Sequence, residues 1–320
     1  MTAPSTPVSA TVERPYAPRP GRIARIRLYG LSPSQLAWTF FLPTVIVICA
    51  VLGYPAVRVI WMSLHLIRLD EPWLGQPWVG FKNYDWALHD TVFWSSFATS
   101  LYFTVGSVMA ETILGLVIAL VVNESFPGRG LMRAAMLVPW AIPAIVSARI
   151  WQWMYTPVVG PFNGLLSGLH ITNAVFDPLS SPIQAMPAMI LADTWKNTPF
   201  TALLLLAGLQ VIPAELYEAA HMDGASAIAR FRVITIPLVK GSLVVALLFR
   251  TLTAFQTFDL AKGLTDGGPG IATELLALHA YRVMFSFVNF GRGAALAVLM
   301  TLVCAVITIV YASQLKLEEA

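Results

Sequence analysis

Uncharged apolar runs of 18 or more residues recur along this chain, and no other feature constrains it as much. About 20 apolar residues in a helix, rising roughly 1.5 Å each, cross the hydrocarbon core of a bilayer. Inside that core the backbone must satisfy its own hydrogen bonds, so the runs read as membrane-spanning helices. A length of 320 residues would otherwise suit one or two soluble domains. The composition excludes that, because 57% of residues are hydrophobic and only 12% charged, against roughly 25% charged in ordinary soluble domains. The formal net charge of +3 is small and argues against a nucleic-acid binder, which would normally show a clustered basic face. Cys49 and Cys304 lie in apolar stretches and read as small buried hydrophobes. The five histidines are scattered without metal-ligand spacing, so no metal site is expected.

Six spans can be drawn, at about residues 36–64, 92–122, 131–155, 184–211, 241–260 and 293–315. The expected fold is therefore all-α and integral to the membrane, with six transmembrane helices. Prolines fall inside several spans: Pro43 and Pro55 in the first, Pro139 and Pro143 in the third. They are tolerated where neighbouring groups take up the freed carbonyls. Lysine and arginine then set sidedness. Arg14, Arg19, Arg22, Arg25, Arg27, Arg129, Arg133, Arg230, Arg232, Lys240 and Lys316 lie on one side. Only Arg68, Lys82, Lys262 and Arg282 lie on the other, the first two accompanied by Asp70, Glu71, Asp85 and Asp90. Both termini and the segment between spans four and five are thus expected in the cytoplasm. Residues 1–35, rich in Pro, Ser and Thr over the first twenty and with no hydrophobic block there, are expected to form a tail rather than a cleavable signal, and residues 316–320 a second tail. The basic stretch GRIARIRLY at 21–29 reads as a flank that fixes topology, with a short interfacial helix as the alternative.

The segment ELYEAAHMDGASAIARFRVITIPLVKG, residues 215–241, is too polar and too short to cross. Pro213 suits the first turn of a helix, and Glu215 and Glu218 suit its positive end. Ala219 and Ala220 give that helix a small-residue face, and Gly224 ends it. A second short helix is expected at about 226–233, stopping before Pro237. Asp223 is expected to cap that second helix, with pairing to Arg230 or Arg232 as the alternative. Such a pair of helices suits docking into a groove on a partner.

Glu218, Ala219, Ala220, then Gly224, Ile234 and Pro237 stand at the spacing of the loop that characterises permeases of ATP-binding-cassette (ABC) importers. Asp223 and Ala225 extend it to the form of the sugar-importer branch. The stretch LADTWKNTPFTALLLLAGLQVIP (191–213) is similar to the same region of disaccharide and glycerol-phosphate importer permeases, and AFQTFDLAKGLTDGGPGIATELLALHAYRVMF (254–285) resembles a segment of maltose-importer-type permease subunits. The chain is similar to that family over about 36–315, with Gly241 where many members carry a further proline.

The resemblance implies a type I importer permease fold (MetI-like) whose short cytoplasmic helix couples to an ATPase. It implies a second, related permease subunit, two ATPase subunits and an extracytoplasmic solute-binding protein. ATP and magnesium would be bound by the ATPases, and this chain would hold no cofactor and perform no covalent chemistry. Within the spans, Asp193, Trp195, Lys196, Asn197 and Thr198, with Gln256 and Asp259, are candidates for the solute pathway, because ionisable groups in spans face the bundle interior. Asp193 and Lys196 could instead pair with one another, three residues apart on a helix. Glu111 is a further deep carboxylate, and Arg250 is among the cations that either reach an interface or face a polar interior. A secondary transporter, or an importer permease for a non-sugar solute, is the competing reading.

Overall fold

Backbone groups inside a bilayer must be paired within the chain, and helices meet that demand locally. The computed structural model describes residues 32–170 and 175–316. It is helical, with isolated bridges at His65–Trp78 and Arg68–Asn289. Of the two tails, residues 1–31, which include the 21–29 stretch, and 317–320 lie outside the described residues; 32–35 form the capped start of the first helix rather than tail.

Four helices are long and apolar enough to cross a membrane: α1 (Ser34–Ser63), α3 (Thr91–Asn123), α9 (Ala227–Phe255) and the part of α12 (Phe290–Lys316) from Phe290 to Gln314. Between α1 and α3 lies the short α2 (Lys82–His89). Counting each of two bent pairs as one span gives up to six candidate crossings among the described residues. The first is α4 (Arg129–Ala141) with α5 (Ala144–Met154), meeting at 91°, and the second is α7 (Pro182–Leu209) with α8 (Ala214–Met222), at 71°. The third span is therefore not one helix over 131–155. It breaks at Ile142, between Pro139 and Pro143, where two missing backbone N–H donors stop the ladder from continuing. The remaining helices are α6 (Pro161–Gly168), α10 (Asp259–Leu264) and α11 (Leu276–Tyr281).

The chain divides into two units, residues 1–56 and 57–320. In the first, Ser32 and Gln35 cap the start of α1 reciprocally, with Gln35 N–H donating to Ser32 Oγ and Ser32 N–H to Gln35 Oε1. Its apolar side chains, Trp38, Phe40 and Phe41 among them, are exposed, as suits a surface facing lipid or protein.

In the second unit the most extensive packing is between α3 and α7. Gly115 makes this approach possible, because a Cβ there would lie 3.0 Å from Thr201 Cγ2 and 3.2 Å from the Ala202 backbone nitrogen. Around that contact, Phe103, Trp151, Met189, Leu264 and Leu278 form one buried cluster, and Val122, Leu205, Leu209 and Val239 another. The fifth span differs from its expected extent of 241–260. Helix α9 starts at Ala227, runs through Pro237 and stops at Phe255; α10 is a separate helix packed on α5.

Candidate functional site

Three helices carry charge into the buried middle of the second unit. Glu111 on α3 is fully buried, as are Asp193 on α7 and Arg250 on α9 for all but about a twentieth of their surface. Arg250 reaches both carboxylates. Its Nη2 donates to Glu111 Oε1 at 2.8 Å and to Asp193 Oδ2 at 3.1 Å, its Nε donates to the other Glu111 oxygen, and its Nη1 donates to Thr253 Oγ1 at 2.9 Å. Asn197 Nδ2 donates to Asp193 Oδ1 at 2.8 Å. A planar guanidinium with forked donors is suited to this bridging, which a lysine could not reproduce.

Lys196 does not pair with Asp193 as one reading of the sequence has it. Its Nζ donates to the backbone carbonyls of Trp140, at 3.1 Å, and Ile142, at 2.5 Å. Those carbonyls belong to the break between α4 and α5, so the ammonium occupies acceptors that the broken ladder leaves open. Phe200, one turn further along α7, stacks on Trp140 with ring centroids 5.7 Å apart.

Beside this network lies a cavity of about 360 Å³, within the roughly 300–1,000 Å³ of small-molecule sites. Asp193, Lys196 and Asn197 line it from α7, Arg250 and Thr253 from α9, Gln256, Thr257 and Phe258 from the following turn, Asp259 and Leu260 from α10, and Ala144 from α5. Five of the seven pathway candidates therefore share one cavity. Trp195 and Thr198 do not line it: Trp195 packs edge-on to Trp151 at 5.8 Å, and the buried Thr198 hydroxyl donates to Thr194 O at 2.6 Å. Residues 193, 196 and 197 fall on one helical face, and 195 and 198 are turned away from it. Arg250 was the residue that sequence reasoning undervalued, although a cation in mid-span and a lone deep carboxylate in another span are the natural signal of a buried pair.

The loop beyond α10 is clamped by charge. Lys262 Nζ donates to Asp266 Oδ1 at 2.9 Å, and Arg282 donates to Glu274 and to the Asp266 carbonyl. The Lys262 hydrogen bond, with the charge of Arg282 nearby, holds the Asp266 carboxyl below the usual carboxylate range.

At the other end of α7, the polar segment folds as two helices with a sharp corner. Pro213 is the N-cap of α8 rather than part of its first turn. Gly224 adopts φ +76°, its N–H bonds to His221 O at 3.0 Å, and Ala225 N–H bonds to Ala220 O at 2.9 Å. This is the paired-bond helix ending that a left-handed glycine permits. Asp223 caps the end of α8, not the start of the next helix; Ser226 does that, its Oγ accepting from Ala229 N–H at 3.2 Å.

The second helix does not stop before Pro237 either. A π-helical turn at Phe231–Thr235 widens the ladder just upstream, so the proline is carried inside a continuous α9. The Tyr217 hydroxyl and Thr235 Oγ1, 3.0 Å apart, tie α8 to that turn. Glu218 lines a recess with Tyr217 and Arg230. Ala219 is exposed, Ala220 and Ile234 are half-buried, and Met222, Ile228 and Val233 present an apolar surface around the corner.

A helical bundle with a charged core, a polar cavity beside it and a two-helix corner at one end has the fold of an importer permease. It superposes on a chain of a bacterial ABC transporter involved in the import of the acidic polysaccharide alginate with a TM-score of 0.76 at 21% identity, covering 88% of this chain and 95% of that one. It also matches a chain of the MetNI methionine ABC transporter in an inward-facing form, with a TM-score of 0.52, covering 73% and 97%.

Residues 111–315 match the binding-protein-dependent transport system inner membrane component family, and the chain belongs to it. It is 43% identical to the trehalose/maltose transport system permease protein MalF of Thermococcus litoralis, over 87% of this chain and 92% of that protein. It is 36% identical to the sulfoquinovosyl glycerol transport system permease protein SmoG of Agrobacterium fabrum, over 92% and 94%. It is likewise 36% identical to the trehalose transport system permease protein SugA of Mycobacterium tuberculosis, over 88% and 89%. The chain is a membrane transport subunit and not an enzyme.

Proposed function

We propose that this chain is one permease subunit of an importer that carries a sugar or related polyol inward, driven by ATP that separate ATPase subunits hydrolyse. The cavity carries this reading. Asp193, Lys196, Asn197, Gln256 and Asp259, brought together from separate elements, offer carboxylates, amides and an aromatic neighbour in Phe258. Sugars are bound by such mixtures of planar polar groups and ring faces. Relatives named for trehalose, maltose and sulfoquinovosyl glycerol transport point to the same solute class.

In this reading α8 is the coupling helix. Glu218, Ala219, Ala220 and Asp223 meet a cleft on the ATPase, Gly224 makes the corner, and Ile234 and Pro237 lie where α9 takes up the motion. The hydrogen bond between Tyr217 and Thr235 makes the corner stiff enough to act as a lever. The permease body at about 36–315 is set among lipid, with the 1–35 and 316–320 tails and the 213–240 loop in the cytoplasm, as the distribution of lysine and arginine favours. A related permease completes the pore as a heterodimer, two ATPases bind ATP and magnesium, and a solute-binding protein delivers from outside.

The test is co-purification from detergent-solubilised membranes with this chain tagged. An ATPase and a second permease should accompany the wild type, and Gly224→Asp or Glu218→Lys should lose the ATPase while retaining the second permease. A wild-type chain that purifies alone contradicts the reading.

A further inference from the structure

The connection between the third and fourth spans, residues 156–181, is almost without charge. Between Arg149 and Asp193 the sequence has a single Asp, Glu, Lys or Arg, which is Asp177. The connection after the first span, 64–90, carries Arg68, Asp70, Glu71, Lys82, Asp85 and Asp90 over a similar length. We infer that residues 156–169, with α6 at their centre, lie in the surface of the bilayer. Lipid covers them on the side opposite the polar α8–α9 corner, which stands at the other end of α7.

Helix α6 is apolar where it packs and apolar where it is bare. Phe162 stacks on Tyr155 at 5.2 Å and on Trp151 at 5.8 Å. Leu165 and Leu169 are more than half exposed, as are Val158 and Val159 before the helix and Ile183 in the first turn of α7. A helix that is hydrophobic all round belongs inside protein or membrane, and protein covers only part of this one. Val158 adopts φ +67°, a conformation that suits glycine or asparagine and strains a β-branched residue. In water an exposed valine offers nothing to offset that strain, whereas burial in hydrocarbon does. Polar groups of the segment are satisfied from within, as backbone shielded from water requires. Asn163 Nδ2 donates to Phe176 O at 2.8 Å while its Oδ1 accepts from Phe176 N–H at 2.7 Å. The Thr156 and Ser167 hydroxyls donate to Gln152 O and Gly164 O, each at 3.2 Å.

Protein partners fit this surface less well. A solute-binding protein that docks and leaves would return it to water in every cycle, and transient interfaces are no more apolar than ordinary surface. A second permease would complete the pore at the solute cavity, which no described residue of 156–181 lines. Both ends of the connection run into candidate spans, so its apolar surface continues theirs. The inference goes beyond the import reading and holds whatever solute is carried.

The test is photocrosslinking in vesicles of phosphatidylethanolamine and phosphatidylglycerol with tritiated acyl chains. They hold the full chain with the subunits that co-purify with it, and solute-binding protein is added. The benzophenone amino acid p-benzoylphenylalanine replaces Leu165 or, separately, Val159; Ile183 is a third exposed position should either variant fail to assemble. Irradiation should leave tritium on this chain at least about fivefold above the same probe in place of Glu215 on α8. Tritium no higher than at position 215 would overturn the inference. So would crosslinking chiefly to a second permease or to the solute-binding protein.

Discussion

Arg250 joins α9 to carboxylates on α3 and α7, and the consequences of removing it follow from burial. Arg250→Met leaves Glu111 and Asp193 buried without a counter-charge, and breaking a pair of this kind costs roughly 3–5 kcal/mol. A lowered unfolding midpoint of the detergent-purified protein would register it. Glu111→Gln should cost less, because Arg250 keeps Asp193. This engagement also weakens the secondary-transporter alternative, since Glu111 is tied to Arg250 and is not a free carboxylate for ion coupling.

Outside the spans, Asp266 titrates below the ordinary carboxylate value because of Lys262 and Arg282. A carboxyl with a depressed folded pKa stabilises above its unfolded value and loses that contribution as pH falls through the folded one. Amide exchange in the 262–274 loop should therefore be insensitive to the clamp at pH 5 and above, and should quicken below about pH 4. Asp266→Asn should give the quickened exchange already at neutral pH.

The α8–α9 corner depends on two residues that the sequence offered with different clarity. Gly224 was readable because a glycine after a short amphipathic run marks a helix end, and φ +76° bears this out. Gly224→Val should cost roughly 1–2 kcal/mol through left-handed strain. Ser226→Ala should cost about 0.5–2 kcal/mol by loss of the cap. Hydrogen exchange should quicken at the end of α8 in Gly224→Val and in the first turn of α9 in Ser226→Ala, while the rest of the bundle keeps its protection. The cap itself was misassigned to Asp223, because Asp and Ser are near-equal caps and only backbone geometry separates them.

The fate of Pro237 was not readable either. Proline ordinarily ends a helix, but here it lies two residues beyond the π turn Phe231–Thr235, just as Pro55 lies two residues beyond the π turn Cys49–Gly53. In each case the turn widens the backbone around the i−4 carbonyl that the proline ring would strike. Whether a helix takes this route depends on the packing of its flanks, which a local pattern does not contain.

The helical class, the long apolar helices and the polar corner were all legible from hydropathy and proline–glycine punctuation. The break in the third span was not, because its stability rests on Lys196 and Phe200 reaching from α7, more than 50 residues away in sequence. The cavity was partly legible: its residues were singled out by polarity, and the helical period would have removed Trp195 and Thr198 from the set. In the proposed function, what joins these features into one machine is import that depends on ATP. The most direct measurement is uptake of radiolabelled trehalose into proteoliposomes holding this chain with its partner permease, ATPases and solute-binding protein. Accumulation with ATP inside, absent without ATP and lost with Glu218→Lys in this chain, is the expected result. Uptake that proceeds equally without ATP, or is indifferent to that substitution, would contradict both the ATP-driven mechanism and the assignment of α8 as its lever.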